Sequence, residues 1–157
     1  MTAKKTGVYP VYENQFQVNT GTAATSEDGT SITGGTFSNI ADMESFSVSF
    51  DNGVEEWTPF DQAGWTRRLM TSKSITISVS GKRNVADAGN DFISNKAFKN
   101  GRDAEVDIQW TFPDGTKVVF LGAVINITEF GAGDSTNVAP LAFDVMSNGK
   151  PIVVPAV

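Results

Sequence analysis

The chain has 157 residues, with 18 Asp or Glu against 12 Lys or Arg and a formal net charge of −6. This length fits one domain with a modest core, and the acidic balance argues against a nucleic-acid-binding surface, which needs a basic footprint. The chain contains neither cysteine nor histidine, which excludes disulfides, thiolate metal sites and catalysis by an imidazole or a thiol. No enzyme activity, cofactor or metal is therefore expected.

The N-terminal region, residues 1–39, shows no sustained hydrophobic periodicity. Residues 20–36 are rich in Thr, Ser, Gly and Ala, so the region is predicted to be an arm or a loop, with short strands around Val8–Val18. No apolar h-region follows Lys4-Lys5, and no apolar stretch approaches the length of a membrane span. We therefore expect a protein made in the cytoplasm that does not enter a membrane.

Two segments alternate between apolar and polar residues with the period of a strand. Phe46, Val48 and Phe50 alternate with small polar residues in Asp42–Asp51, and Ser74–Ser80 repeats the pattern. The two segments are predicted to pair as antiparallel strands. Their polar faces are expected to line a solvent-filled space, and the candidate residues there are Asp42, Glu44, Ser47, Ser49, Thr76 and Ser78.

The segment between these strands, residues 52–73, is too long for a structureless loop in a compact domain. It is interpreted either as a loop folded back over the core or as a projecting hairpin that docks on another subunit. Exposed aromatic residues and Arg are typical of interfaces, and the second interpretation is favoured. The candidate interface residues are Glu55, Glu56, Trp57, Phe60, Trp65, Arg67 and Arg68.

The C-terminal half predicts one helix followed by three strands. The helix is expected over Asn90–Lys99, capped by Asn90 or Asp91 and ended by Gly101. Asp103, Glu105 and Asp107 alternate in the strand after it, and a solvated or lumen-facing acidic face is expected there in preference to a metal cluster or a catalytic acid pair. Alternating patterns then predict strands over Ala104–Phe112, Lys117–Phe130 and Ala139–Val145. Pro113-Asp114-Gly115 predicts a hairpin turn between the first two of these strands.

The predicted order of elements indicates a mainly β fold. We expect two packed antiparallel sheets, as a sandwich or a rolled sheet, with one flanking α-helix and a long projecting loop. The whole chain, residues 1–157, is interpreted as a single domain.

Several short motifs, in this order, resemble the tail tube proteins (major tail proteins) of long-tailed bacteriophages, which are related to the inner tubes of contractile tails and tailocins. The resemblance covers Ile40 to Pro151. The segments that carry it are Ser45–Phe50, Glu55-Glu56-Trp57-Thr58-Pro59-Phe60, Ser74–Arg83, Asp87–Phe92, Phe130–Asp134 and Ser147–Pro151.

The resemblance implies a structural subunit of a virion that assembles into hexameric rings stacked as a hollow tube for genome ejection. Residues 52–73 would then form the contact between subunits, and the polar faces would line the lumen. The implied partners are further copies of the chain, tape measure, tail terminator and distal tail proteins, and double-stranded DNA that passes without specific binding.

A function of a different class also fits the sequence. Trp57 and Trp65 could form a stacking platform in a β-sandwich that binds a carbohydrate or another ligand. Microscopy of concentrated protein distinguishes the two hypotheses, because a tube protein should form rings or tubes and a binding module should stay monomeric.

Overall fold

The computed structural model describes residues 6–156. It contains one α-helix, eight strands and four short 3₁₀ turns. The strands and the helix, in chain order, are β1 (Gln15–Asn19), β2 (Phe37–Asn39), β3 (Met43–Trp57), β4 (Arg67–Lys82), α1 (Ala88–Ser94), β5 (Glu105–Thr111), β6 (Lys117–Phe130), β7 (Pro140–Met146) and β8 (Ile152–Val154).

All eight strands belong to one antiparallel sheet. The strand order in the sheet is β2-β1-β5-β6-β7-β4-β3. The short strand β8 is not part of this order and pairs with the first residues of β6. The sheet rolls over itself, because the rings of Phe16 on β1 and Phe46 on β3 lie 4.8 Å apart although four strands separate β1 from β3. The predicted mainly β fold with one helix is confirmed, and it takes the rolled form.

The long strand β6 belongs to both layers of the rolled sheet. Its first part, up to Val124, pairs with β5, and its second part, Val124 to Phe130, pairs with β7. Two register shifts each leave an extra residue on β6: Val106 and Ile108 pair with Ala123 and Phe120, and Phe143 and Ala142 pair with Ile127 and Glu129. Irregularities of this kind bend and twist a sheet. The core lies between the layers, and its largest fully buried side chains include Phe143, Ile77, Ile93, Ile108 and Leu141.

The predicted pairing of Asp42–Asp51 with Ser74–Ser80 is confirmed. The register matches Ser45 with Ser80, Ser47 with Ser78, and Ser49 with Thr76. Both strands run well past the predicted segments, toward a shared turn at residues 58–66. The predicted hairpin turn between β5 and β6 is also present, with Gly115 at a φ of 94° and its N–H donating to the Phe112 carbonyl at 3.0 Å.

The prediction for the helix was wrong at both ends. The side chain of Asp87 caps α1 by accepting from the Asn90 N–H at 3.0 Å, and the α-helix ends at Ser94 before a 3₁₀ turn, Asn95–Phe98. Asn90 lies inside the helix and is fully buried, and its amide nitrogen donates to the carbonyls of Ala41 and Lys82 at 3.0 Å each. The apolar periodicity located the helix, but this tertiary role of Asn90 leaves no signal in the local sequence.

The predicted solvated acidic face was also wrong. Asp103 lies in a 3₁₀ turn before β5, whereas Asp107 lies opposite the extra residue of β6 and is half-buried. The Asp107 carboxylate accepts from the backbone N–H groups of Ala24 and Gly122 and from the Asn19 amide, each at 3.0 Å. This carboxylate therefore ties the 20–36 segment to the sheet instead of facing solvent.

Candidate assembly surface

Beyond the body of the protein, β3 and β4 continue as a two-stranded ribbon, here defined as residues 52–73. The ladder extends from Asn52 paired with Lys73 to Trp57 paired with Arg67. Within the ribbon only Gly53 and Pro59 are half-buried, and every other residue is exposed. Of the two interpretations of this segment, the geometry matches the projecting hairpin, because a loop folded over the core would bury part of its length.

The predicted interface residues lie together in the outer half of the ribbon. Phe60 and Trp65 sit at the tip, and the exposed fractions of Phe60, Trp65 and Trp57 are 110%, 77% and 42%. Large aromatic side chains gain most from burial, so three exposed rings at one tip are unusual for a free surface.

The ribbon contains three basic residues, and the two in its outer half, Arg67 and Arg68, have partners within it. The Arg68 Nε donates to the Glu56 carboxylate at 2.7 Å, and this contact raises the pKa of the Arg68 guanidinium. The Arg67 guanidinium lies 6.0 Å from the centroid of the Trp57 ring. Glu55 and Asp61 form no ion pair with any residue in the described part of the chain. The outer part of the ribbon, residues 54–70, has three carboxylates (Glu55, Glu56 and Asp61) against two guanidinium groups (Arg67 and Arg68), so its formal net charge is −1.

Apolar side chains lie on both faces of the ribbon. Val54 and Met70 face each other across the strands and are 47% and 50% exposed. Leu69, the neighbour of Met70 on β4, points to the opposite face and is 60% exposed. An isolated two-stranded ribbon is marginally stable in water. Neither face of the ribbon is covered by the rest of the described chain.

A face that is polar except for Ala142, Met146 and Val124 covers the half of the sheet formed by β3, β4, β7 and the second part of β6. One row of paired residues crosses all four strands and consists of Ser47, Ser78, Asp144 and Asn126. The Ser78 hydroxyl donates to the Asp144 carboxylate at 2.7 Å, and the adjacent row contains Ser45 and Ser80 with hydroxyl oxygens 2.6 Å apart. Ser49 and Thr76 pair in a further row of the same face.

The opposite face of the same strands is the core. The row next to Ser47 consists of Phe46, Val79, Phe143 and Ile127, which belong to the core cluster or pack on it. Strict alternation thus divides the four strands into a dry face and a polar face. Ser47, Ser49 and Ser78 are exposed and Thr76 is half-buried, and none of them belongs to the hydrophobic core.

Asp42 and Glu44 lie at the end of β3 and not within these rows. Asp42 occupies a turn with a φ of 60°, and its carboxylate accepts from the Asn84 amide at 2.6 Å. Glu44 pairs with Lys82 at 3.7 Å, and the register shifts between Met43 and Ser45. The structure therefore groups four of the six predicted polar-face residues and sets these two at the rim.

Sequence reasoning missed two residues of the polar face and one exposed aromatic pair. Asp144 and Asn126 belong to the row with Ser47 and Ser78. Alternation within Pro140–Met146 was a signal for Asp144. Phe98 and Phe130 are 86% and 44% exposed, with ring centroids 5.9 Å apart in an edge-to-face arrangement. No local pattern places these two rings side by side, because thirty-two positions of chain separate them.

Within residues 6–156 no group of three or more Asp or Glu side chains is placed to hold a metal ion. In the same range, no helix combines the length and the apolar composition needed to cross a bilayer.

The fold defines a class of protein: a rolled antiparallel sheet with one short helix and a long β-ribbon. The chain matches no model of a known protein family and no curated protein. Solved structures do match it. A chain in the tail of an empty gene transfer agent (GTA) particle, refined with C6 symmetry, superposes with a TM-score of 0.62 at 20% identity, over 92% of this chain and 97% of that one.

Two further assemblies contain the same fold. A chain in the virion of the native gene transfer agent gives a TM-score of 0.67 at 19% identity, over 94% of this chain and 100% of that one. A chain in the sheath-tube complex of an extracellular contractile injection system gives 0.58 at 15% identity, over 94% and 91%. The predicted resemblance to tail tube proteins is therefore confirmed at the level of the fold.

Proposed function

We propose that this chain is the structural subunit of a phage-like tail tube, and that it works by self-assembly and not by catalysis. Copies form hexameric rings, and the rings stack into a hollow tube that serves as the conduit for DNA ejection. The assembled protein belongs to the virion, after assembly in the host cytoplasm. Its other partners are the tape measure, tail terminator and distal tail proteins.

The observation that carries the proposal is the four-strand half of the sheet with its dry face and its polar face. Both edges of this half lack a strand partner within residues 6–156: β3 has none on its outer side, and residues 125–130 of β6 have none on the side of β5. Unpaired strand edges of this length can form hydrogen bonds with a strand of another chain. Rings of identical subunits satisfy both edges at once, because one edge of each copy meets the other edge of its neighbour.

The charge of the polar face supports the role of a conduit. The segments 43–51, 74–80, 124–130 and 140–146 contain no Lys or Arg, and they contribute to this face the carboxylates of Asp51, Glu129 and Asp144, with Glu44 at its rim. Proteins bind DNA mainly by neutralising its phosphates with Lys and Arg side chains. A lumen built from these segments repels phosphates, so double-stranded DNA passes without specific binding.

The ribbon supports stacking of the rings. Its exposed aromatic and aliphatic residues gain a partner only from outside the body of their own subunit, and the proposed partner is a neighbouring copy. The fold shared with a C6-symmetric tail and with a sheath-tube complex is consistent with this role.

The test is assembly of the purified chain. Concentrated protein is imaged by negative-stain electron microscopy, and its mass in solution is measured by light scattering. Rings or tubes with a hollow centre are expected. Monodisperse monomers at all concentrations would contradict the proposal and would favour the ligand-binding alternative that uses Trp57 and Trp65.

A further inference from the structure

The two ends of the four-strand half of the sheet are chemically different. One end continues into the ribbon and its tip. The other end is marked by the row in which Met43 pairs with Gly81, Gly81 with Leu141, and Leu141 with Phe130. The ladder from Gly81 to Arg67 is about 45 Å long at about 3.3 Å per residue. The Phe98–Phe130 pair therefore lies at the end of the sheet opposite the tip.

We infer that the tip of the ribbon docks on the Phe98–Phe130 pair of a second copy of this chain. The inference rests on the proposed function, since it names the surface that receives the ribbon in the stacked assembly. In a head-to-tail stack of identical subunits, opposite ends of neighbouring copies meet. Stacking along the strand direction would thus bring the tip of one copy to the Phe98 end of the next.

Apolar surface is present on both sides of this contact. At the tip, Phe60 and Trp65 are 110% and 77% exposed, and at the receiving end Phe98 is 86% exposed with one edge against Phe130. Exposed aromatic rings on both partners provide the buried anchors that dominate the energy of interfaces. Each copy would supply one tip and one aromatic pair, so the same contact can repeat between successive copies along a stack.

Charge complements the apolar contact. The tip presents Glu55 and Asp61, which have no ion-pair partner in the described part of the chain. The segment 92–102, which carries Phe98, contains Lys96, Lys99 and Arg102 and no acidic residue. Glu129 and Asp134 are the acidic residues nearest to Phe130 in the sequence, so the basic part of the receiving surface is the segment that carries Phe98. Complementary charges of this kind fix register and orientation more than affinity.

Disulfide trapping in the full chain tests the contact, because the natural sequence has no cysteine. One variant carries Gln62→Cys in the exposed tip, and a second, tagged variant carries Ala132→Cys in the exposed loop after Phe130. The two are mixed before assembly and oxidised mildly afterwards. The expected result is a covalent dimer of one tagged and one untagged chain.

The matched control replaces Ala132→Cys by Lys150→Cys. Lys150 is also exposed, and it follows the end of β7 that lies nearer the tip, at Met146. Little mixed dimer is expected from this pair. Tubes that trap Gln62 with Lys150, and not with position 132, would overturn the inference and leave the proposed function standing.

A second measurement does not depend on cross-linking. Phe98→Ser is expected to keep the unfolding midpoint of the wild-type subunit, because the side chain is exposed, and to lose stacking into tubes. Phe98→Ser tubes of normal length would overturn the inference. Failure of the wild-type chain to form rings or tubes would overturn the proposed function and, with it, this contact.

Discussion

The hairpin of β3 and β4 has two halves with opposite surroundings. In the half nearest the body, Phe46, Val48, Ile77 and Val79 pack in or against the core, and serines occupy the other face. In the ribbon, the same two strands carry exposed apolar residues on both faces. The first half buries its apolar residues within one chain, whereas the apolar residues of the second half stay exposed in it. Substitutions in the two halves should therefore affect different properties.

The largest expected difference concerns the stability of the subunit. Ile77→Ala removes a fully buried side chain and should lower the free energy of unfolding by about 2–5 kcal/mol. Met70→Ala, on the same strand but in the ribbon, should change it by less than about 0.5 kcal/mol. Urea unfolding of dilute, unassembled protein measures both values. An equal decrease in the free energy of unfolding for the two variants would show that the ribbon packs on its own subunit.

The second prediction concerns assembly, which a substitution in the ribbon should reduce without destabilising the subunit. Trp57→Ala should leave a folded subunit that assembles poorly, because truncation of an interface aromatic costs about 2 kcal/mol or more per contact. Circular dichroism checks the fold, and sedimentation measures the assembled fraction. A Trp57→Ala subunit that unfolds, or one that forms long tubes normally, would mean that the ribbon has been misinterpreted.

Trp110→Ala is the matched control for Trp57→Ala. The Trp110 ring lies 5.8 Å from Phe16 and 5.7 Å from Phe46, where the two layers of the roll meet. Its indole N–H donates to the Asn14 side chain at 3.1 Å. This substitution should destabilise the isolated subunit, and any loss of assembly should follow from unfolding.

A smaller effect is expected from the charges of the ribbon. Reversal of Glu55 and Glu56 to Lys should slow assembly by about tenfold or less, since exposed charges act mainly on the rate and register of association. Simultaneous reversal of Lys96 and Lys99 to Glu should restore the rate if these are the matching cations. Light scattering at several salt concentrations follows the kinetics, and wild-type tubes should persist in moderate salt because apolar contacts dominate.

Absence of rescue by any basic pair would contradict the charge pairing and leave the tube proposal intact. The candidate pairs are Lys96 with Lys99, Arg67 with Arg68, and Lys82 with Arg83. Arg68 already binds Glu56 within the ribbon, and Lys82 binds Glu44 at its own subunit's rim. Reversal of those pairs should therefore disturb contacts inside the subunit as well.

The smallest effect concerns an exposed loop outside both halves of the hairpin. The Asp28 carboxylate accepts from the N–H groups of Thr30 and Ser31 and from the Ser31 hydroxyl, and these bonds lower the pKa of Asp28 below its ordinary value of 3.8. A lowered folded-state pKa means that this stabilisation is present above pH 3.8 and is lost as the pH falls through the folded-state value. An NMR titration of the carboxyl group measures the midpoint.

The Asp28→Asn variant is the control for that titration. It should alter the amide shifts of the loop and leave the unfolding midpoint of the subunit almost unchanged, because the loop lies outside the core. A midpoint at or above 3.8 for the Asp28 carboxyl would contradict the assigned hydrogen bonds.

The strands were predictable from the sequence wherever alternation was regular. The pairing of Ser45–Phe50 with Ser74–Ser80 follows from two segments of equal pattern, and the β5–β6 turn follows from Pro113-Asp114-Gly115. Beyond Asp51 polar residues and Gly53 interrupt the apolar positions of β3, so its continuation to Trp57 carried no clear signal. The sequence favoured a projecting hairpin at residues 52–73 but did not show how far its two strands pair.

By itself the sequence determined the class of the fold, the absence of imidazole and thiol chemistry, and the division of each strand into an apolar and a polar face. These features depend on composition and on the two-residue period of a strand, which are local properties. Tertiary structure decided the roll, the row that unites Ser47 and Ser78 with Asp144 and Asn126, and the contact of Phe98 with Phe130 at the end opposite the ribbon. Those features depend on strand order and bulges, which are set by how distant segments bury their apolar faces together.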